Sequence, residues 1–384
     1  MSQSTITFFP VGDKNGGMTL IRLNNHQKTT ILIDCSIPAD KIADSCDIKQ
    51  ELYNRLPQDG WGHPYVDVFI LTHRHDDHLL GFEDNFHLGK ISDYDNKSKK
   101  ILIKELWSSH NFWKPESPSY SLCDDAKAFN REMKRRVDLF DETKEIQGDY
   151  DRAIIVGTDP EGRTEGKEAI NIRIGDIFVK INNVDVSKYL YGVVLGPIEQ
   201  QDDESEKDYL DKNRQSIVMQ LALKAGDNTT FVLYGADAEY QVWSTLEKEF
   251  GAKGYLDYDI LYVPHHCSWH SISADSQSES DDPQPDTGAL AALSHTNDGA
   301  CMVSQSKAIK DDDNDPPSFA AKQIYLKIVS EKRFYCTNEY PSESNPEPLE
   351  FNITDSGYQL THTSPKSHIS ASNVKTSQTV FRHG

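Results

Sequence analysis

Leu71-Thr72-His73-Arg74-His75-Asp76-Asp77-His78 decides how this chain is read. It follows Val66-Asp67-Val68-Phe69-Ile70-Leu71, an apolar run that predicts a buried strand. His73 and His75 are two positions apart, so in extended backbone they face the same way, as two nitrogens on one ion require. Asp77 and His78 lie a turn further on, where Leu79 to Phe82 is expected to begin a helix and where a second ion is within reach. Imidazole with carboxylate suits zinc, manganese or iron. The bland alternative is a solvated loop rich in histidine, but this spacing directly after a buried strand weighs against it.

Working outward, strands are expected at Ile6 to Val11, Met18 to Leu23 and Thr30 to Asp34, around a turn at Gly12-Asp13-Lys14-Asn15-Gly16-Gly17. Residues 40–56 carry a helical pattern. Residues 122–146 do so more strongly, with Ala126, Phe129, Met133, Val137 and Phe140 at three- and four-residue steps. Further strands are expected over 170–183, Tyr191 to Leu195, Ser216 to Leu223, Thr230 to Tyr234, Asp259 to Val263 and, briefly, Met302 to Ser304. Helices are expected over Tyr240 to Phe250 and Phe319 to Ser330. The pattern is mixed α/β, with no clean linker. One domain is expected over 1–362, with an insertion at about 111–169, an exposed acidic run at 202–212 and a flexible polar tail at 363–384.

The 384 residues include 61 acidic and 40 basic side chains, a formal charge of −21. Such a field repels polyanions, so a nucleic-acid substrate needs metal ions or a local basic patch. No run approaches the roughly 18–20 apolar residues of a membrane span. Met1-Ser2-Gln3-Ser4-Thr5 lacks the start of a signal peptide, and the six cysteines form no Cys-x-x-Cys pair. The expectation is a cytoplasmic protein with free thiols and no membrane association.

His73, His75, Asp77 and His78 match the His-x-His-x-Asp-His motif of the metallo-β-lactamase superfamily, and Asp34 after Ile31-Leu32-Ile33 matches its early aspartate. Val11-Gly12 with Gly16-Gly17, Asn213-Arg214-Gln215-Ser216, Tyr234-Gly235-Ala236-Asp237-Ala238-Glu239 and Val263-Pro264-His265-His266-Cys267-Ser268 follow in order. That order resembles the soluble domain of ComEC-type DNA-uptake proteins, over roughly residues 6–360. The resemblance implies a four-layer αββα sandwich with a helical insertion. It also implies two divalent ions, zinc foremost and manganese next, on His73, His75, Asp77, His78, Asp237 and His266. Asp237 would bridge the ions, although its place before Ala238 to Leu246 also suits a helix cap. Asp34, Asn213 and Ser268 would stand behind the ligands. His265 and His266 are adjacent, and on a strand only one would point inward. His266 is preferred because His-x-Ser resembles the closing motif of the RNA-processing members. Cys267 stands where glycine is usual and is expected to act only as a small residue. The histidine that the superfamily places between these motifs has no counterpart in Leu195-Gly196-Pro197, with His110 a candidate substitute. His26, His63, His87 and His270 have weaker claims.

The implied activity is metal-dependent hydrolysis, with a nucleic acid or nucleotide phosphodiester as substrate. A water shared by the ions would attack phosphorus, Asp77 would orient it, and His265 or His110 would protonate the leaving oxygen. Bacterial defence or DNA processing, with an operon-encoded protein partner, is the implied context; the oligomeric state is open. Two competitors stand beside this reading: hydrolysis of another ester or thioester, and a metal-stabilised binding subunit inactive alone. Helix 122–146 concentrates Lys127, Arg131, Lys134, Arg135 and Arg136. Arg131, Lys134 and Arg135 are candidates for phosphate contact, against the plainer expectation of a solvated face.

Overall fold

The computed structural model describes residues 3–41, 46–114, 121–198, 213–275, 277 and 283–361. The tail 363–384 and the acidic run 202–212 lie outside them.

Apolar alternation along the strands sorts the core into three layers. Val68 and Ile70 of the strand Tyr65–Leu71 point one way, and Phe69 and Leu71 the other. The first pair joins Ile6, Ile21 and Ile31 against Met219, Val232, Ile260 and Val303, a core shared by two facing sheets. The second pair packs with Leu52, Phe82, Phe129 and Met133 beneath the helices Ile48–Tyr53, Phe82–Asn85 and Asp124–Thr143. On the far side Leu233, Leu261 and Met302 pack with Trp243, Leu246, Leu293 and Tyr325 beneath Tyr240–Phe250, Thr287–Leu293 and Phe319–Ile328. Helices, sheet, sheet, helices: this is the αββα sandwich that the resemblance implied.

Among the described residues the first sheet has nine strands and the second seven. Each changes from antiparallel to parallel part-way across. In the first, Ser4–Phe8, Thr19–Arg22 and Thr30–Ile33 are antiparallel. Thr30–Ile33, Tyr65–Leu71, Leu102–Ser109 and Arg152–Val156 are then parallel. In the second, Met219–Ala225 and Asn228–Tyr234 are antiparallel. Asn228–Tyr234, Tyr258–Tyr262 and Thr296–Ser304 are parallel. The carboxyl ends of parallel strands are where α/β sheets open a crevice for ligands. No helix among the described residues is long and apolar enough to cross a membrane.

Several elements differ from expectation. Of residues 40–56 only Ile48–Tyr53 is helical among those described. The strand expected at Met302 to Ser304 runs from Thr296 to Ser304. Leu349–Thr354 and Gly357–Leu360 add two strands beside Ser4–Phe8. The segment expected as an insertion is built into the layers. Asp124–Thr143 covers the first sheet, and Arg152–Val156 extends its parallel side. That helix is capped by Cys123, carries Asp124 and Asp125 in its first turn where the helix dipole favours anions, and stops at left-handed Lys144.

Candidate metal centre

Five strand ends converge. Asp34 follows Ile33, the histidine motif follows Leu71, Asp237 lies just beyond Tyr234, His266 beyond Tyr262, and Gln305 follows Ser304. His73, His78, Asp237 and His266 are buried, while His75 and Asp77 are partly open.

Their outer partners fix the protons. The Asp34 carboxylate only accepts, so His78 Nδ1 donates to it at 2.8 Å. The Gln305 carbonyl only accepts, so His266 Nδ1 donates to it at 2.8 Å. Thr72 Oγ1 donates to Asp34 Oδ2 at 2.7 Å and accepts from His73 Nδ1 at 3.1 Å. With Nδ1 so engaged, each ring turns its Nε2 inward, free to offer a lone pair once its inner proton is displaced.

There these nitrogens meet one another and two carboxylates. His78 Nε2 lies 3.3 Å from His266 Nε2 and 3.1 Å from Asp237 Oδ1. His266 Nε2 lies 3.2 Å from Asp237 Oδ2 and 3.1 Å from Asp77 Oδ2. His73 Nε2 lies 3.0 Å from His75 Nδ1 and 3.5 Å from Asp237 Oδ2. Facing lone pairs repel unless a cation lies between them. These spacings match donors about 2.0–2.2 Å from a shared ion. Two groups result: Asp77, His78, Asp237 and His266, and His73, His75 and Asp237, each with its donor atoms within 4.8 Å of one another. Asp237 belongs to both groups, and the residues fit divalent metal.

The electrostatics agree. Burial opposes charge on His266, but Asp237 and Asp77 outweigh it and push the ring up to about 10. His78 is raised in the same way against its burial, by Asp237, Asp34 and Asp77. Burial likewise opposes ionisation of Asp237 and Asp77, yet their histidine neighbours hold both below the usual carboxylate range. The centre is set to hold positive charge.

The structure brings together the six residues expected as ligands, and places others differently. Asp237 does not cap the next helix, which begins at Tyr240 after Glu239. Asp34 is buried and also accepts from Thr72 N at 2.8 Å. Asn213 Nδ2 donates to Glu239 Oε1 at 3.0 Å and lies 3.4 Å from His265 Nε2. Ser268 Oγ instead accepts from His270 N at 3.1 Å, capping the following turn. His110 is buried but in neither donor group. Burial and Lys114 lower its pKa to about 4, which favours the neutral imidazole. Burial pushes the Cys267 thiol up, away from nucleophile behaviour.

The basic helix touches the segment after His78 through Asp125, which accepts from Gly81 N and Glu83 N, but its arginines are engaged elsewhere. Arg135 is held by Glu132 at 2.7 Å and Asp151 at 2.6 Å, and Arg131 by Glu83 at 3.2 Å. The next residue, Arg136, donates to the Ile103 and Arg152 carbonyls, at the entrance ends of their strands. Ile103 is in register with Val66, on the order of 15 Å along the sheet from Leu71.

Sequence reasoning missed Thr72, Gln305 and the purpose of Gly17. The Gln305 amide ties Phe9 and Met18 to the centre, donating to both carbonyls at 2.8 Å. A Cβ on Gly17 would stand 2.9 Å from the His78 ring, so glycine is what lets this backbone close over it. His265, His266 and Cys267 have φ of 48°, 53° and 67°. Three consecutive non-glycine residues are thus left-handed, which explains why glycine would suit position 267.

No family model matches the sequence, and no curated protein matches it. Solved structures similar to the chain include Igni18, a metallo hydrolase from the hyperthermophilic archaeon Ignicoccus hospitalis. Its TM-score is 0.40 at 12% identity, over 91% of this chain and 99% of that one. Yeast PDE1 has a TM-score of 0.39 at 10% identity, over 88% of this chain and 98% of that one. A long form RNase Z from yeast has a TM-score of 0.34 at 13% identity, over 78% of this chain and 37% of that one.

Proposed function

We propose that the chain is a metal-dependent hydrolase of phosphodiesters in nucleic acids or nucleotides. One observation carries this: buried imidazole lone pairs and two carboxylates converge in two groups that share Asp237. Bound zinc or manganese ions would supply Lewis acidity and a water nucleophile at neutral pH. The chain's own part is to hold and orient. Asp34, Thr72 and the Gln305 carbonyl fix the rings of His78, His73 and His266. Substrate would enter past the partly open His75 and Asp77.

A phosphodiester is favoured by the cations at this end of the sheet. Arg74, between the two motif histidines, donates to the Lys114 carbonyl at 3.2 Å. Lys114 follows the strand Leu102–Ser109 at its carboxyl end. In a chain of charge −21 these are the cations nearest the motif, although Arg74 is buried and burial with Arg74 lowers Lys114 to about 8. The ComEC-like motif order supports the same substrate class, in DNA processing or defence.

Protein loaded with zinc or manganese should release p-nitrophenol from bis(p-nitrophenyl) phosphate and shorten DNA or RNA oligonucleotides. Hydrolysis of a thioester or β-lactam with no phosphodiester cleavage would overturn this proposal.

A further inference from the structure

The two donor groups are unequal. Asp77, His78 and His266 add three ligands to Asp237, whereas His73 and His75 add only two. Leu195-Gly196-Pro197 offers no side-chain donor, and His110 and His265 both lie outside the two groups, but His265 Nε2 reaches to 3.9 Å of the shared Asp237. We propose that His265 is the missing ligand, completing the position formed by His73, His75 and Asp237. The proposal rests on the metal-centre reading above.

The backbone makes it possible. On a strand, adjacent side chains point to opposite faces. Here the left-handed turn at His265 and His266 sets both imidazoles on one side, with ring centroids 6.1 Å apart. Both rings then approach the same atom. His266 Nε2 lies 3.2 Å from Asp237 Oδ2, and His265 Nε2 lies 3.9 Å from it. Two donors on one tetrahedral ion sit roughly 3.3–3.5 Å apart. His265 Nε2 is thus a few tenths of an ångström too far from Asp237 and stands outside the group whose donor atoms all lie within 4.8 Å of one another, so ligation requires the ring to shift toward His73 and His75. Left-handed backbone at bulky residues is strained and persists where the surrounding structure holds it.

The far side of the ring has a ligand's pattern too. His78 has Asp34 behind Nδ1, His266 has the Gln305 carbonyl and His73 has Thr72. His265 has Glu239, whose Oε1 is 3.9 Å from Nδ1, a nitrogen that makes no hydrogen bond in the described structure. Asn213 donates to the same Glu239 oxygen at 3.0 Å and fixes it in place. Closing that gap would set the Nδ1–H tautomer and turn the Nε2 lone pair to the ion, as carboxylates behind metal-bound histidines do. Glu239 and Asn213 are then positioning residues.

Cobalt(II) titration followed by calorimetry and visible absorption tests this. The parent should bind two ions per chain. His265→Asn keeps a residue that tolerates left-handed backbone. It should bind one ion with parental affinity and the other at least about 100-fold more weakly, beyond the usual effect of an outer partner. The absorption of that second ion should be lost. His266→Asn should weaken the opposite ion, and Glu239→Gln should weaken the His265 ion by about 10–100-fold. Circular dichroism confirms that each variant is folded. If His265→Asn binds both ions with parental affinity and spectrum, His265 is no ligand, although the metal centre stands. If the parent binds no cobalt, zinc or manganese, the metal-centre reading itself has failed.

Discussion

The two donor groups differ in how they are built, although they share Asp237. His73 and His75 come from one extended segment, and their partners are local: Thr72 stands behind His73 and His75 beside it. The group of Asp77, His78 and His266 joins a turn of the first sheet to a turn of the second, and its outer partners are Asp34 and Gln305. The His73–His75 pair is local, and with Asp237 it makes a group one ligand smaller than the other. Both groups wait for Asp237 from the second sheet, and the long-range group needs His266 from that sheet as well. Metal at the long-range group ties the first sheet to two residues of the second, Asp237 and His266, and metal at the local group ties it to Asp237, so the long-range ion should stabilise the fold more.

Asp237 belongs to both groups, so removing it should have the largest effect. Asp237→Ala should hold almost no zinc by elemental analysis and lose more than about 100-fold in hydrolysis, while remaining folded. A variant that keeps both ions would break the comparison, because it would deny that the groups share a ligand. Single losses should then separate. His266→Ala should lose the long-range ion and most of the metal-dependent rise in melting temperature. His73→Ala should lose the local ion and leave most of that rise. Equal thermal effects would show that the centre binds metal as one unit.

How far each group could be read beforehand follows the same division. The run His73 to His78 declares itself, because one strand and one turn place every member. Asp237 and His266 were legible as residues at strand ends, helped by motif order. Thr72 was overlooked between louder neighbours. Gln305 had no signal, since its contacts with Phe9, Met18 and His266 are made only by the folded sheets. Nothing in His265-His266-Cys267 announces positive φ, because no glycine marks it. The 122–146 periodicity revealed a helix face but not which end of the sheet its basic residues would occupy. Leu349, Phe351 and Ile353 alternate in the sequence, yet their partner strand lies at the other end of the chain.

Proton linkage gives a smaller but distinctive effect. In the metal-free protein His266 is pushed up to about 10, by carboxylates that overcome its burial. Its unfolded value is about 6.5. That raised value stabilises the metal-free fold fully below about pH 6.5, and the contribution is lost as pH rises through about 10. Metal must displace the same proton, so affinity at the long-range group should rise with pH over that window. Calorimetry at pH 7 in buffers of different ionisation enthalpy should find proton release as the first ion binds. Gly17→Ala approaches the same group from outside. Its new Cβ would press on the His78 ring at 2.9 Å. A loss of about 1–3 kcal/mol in urea unfolding is expected, with weaker binding of the long-range ion. If Gly17→Ala leaves stability and metal affinity alike unchanged, the backbone there is not packed against the centre as described.

The smallest effect is expected farthest away. Arg131, Lys134 and Arg135 form the chain's densest basic face, and a negative protein invites the idea that they hold a nucleic acid. Arg135 already serves Glu132 and Asp151, and Arg131 serves Glu83. Their neighbour Arg136 binds carbonyls at the ends of the strands remote from both donor groups. The Arg131 pair is exposed, and such pairs contribute about 0–1 kcal/mol. Replacing Arg131 and Lys134 with Ala, and leaving the buried Glu132 its Arg135 and Arg136 partners, should therefore barely change stability or oligonucleotide cleavage. The decisive measurement is the salt dependence of oligonucleotide binding. Each phosphate left without its cation would flatten the log–log slope by roughly 0.7–0.9. An unchanged slope would leave Arg74 and Lys114, beside the centre, as the cations to mutate next. A slope flattened by one or two phosphates' worth would mean that substrate extends from the centre along the outer face of the first sheet, making the helix a second anchor and the substrate a long strand rather than a nucleotide.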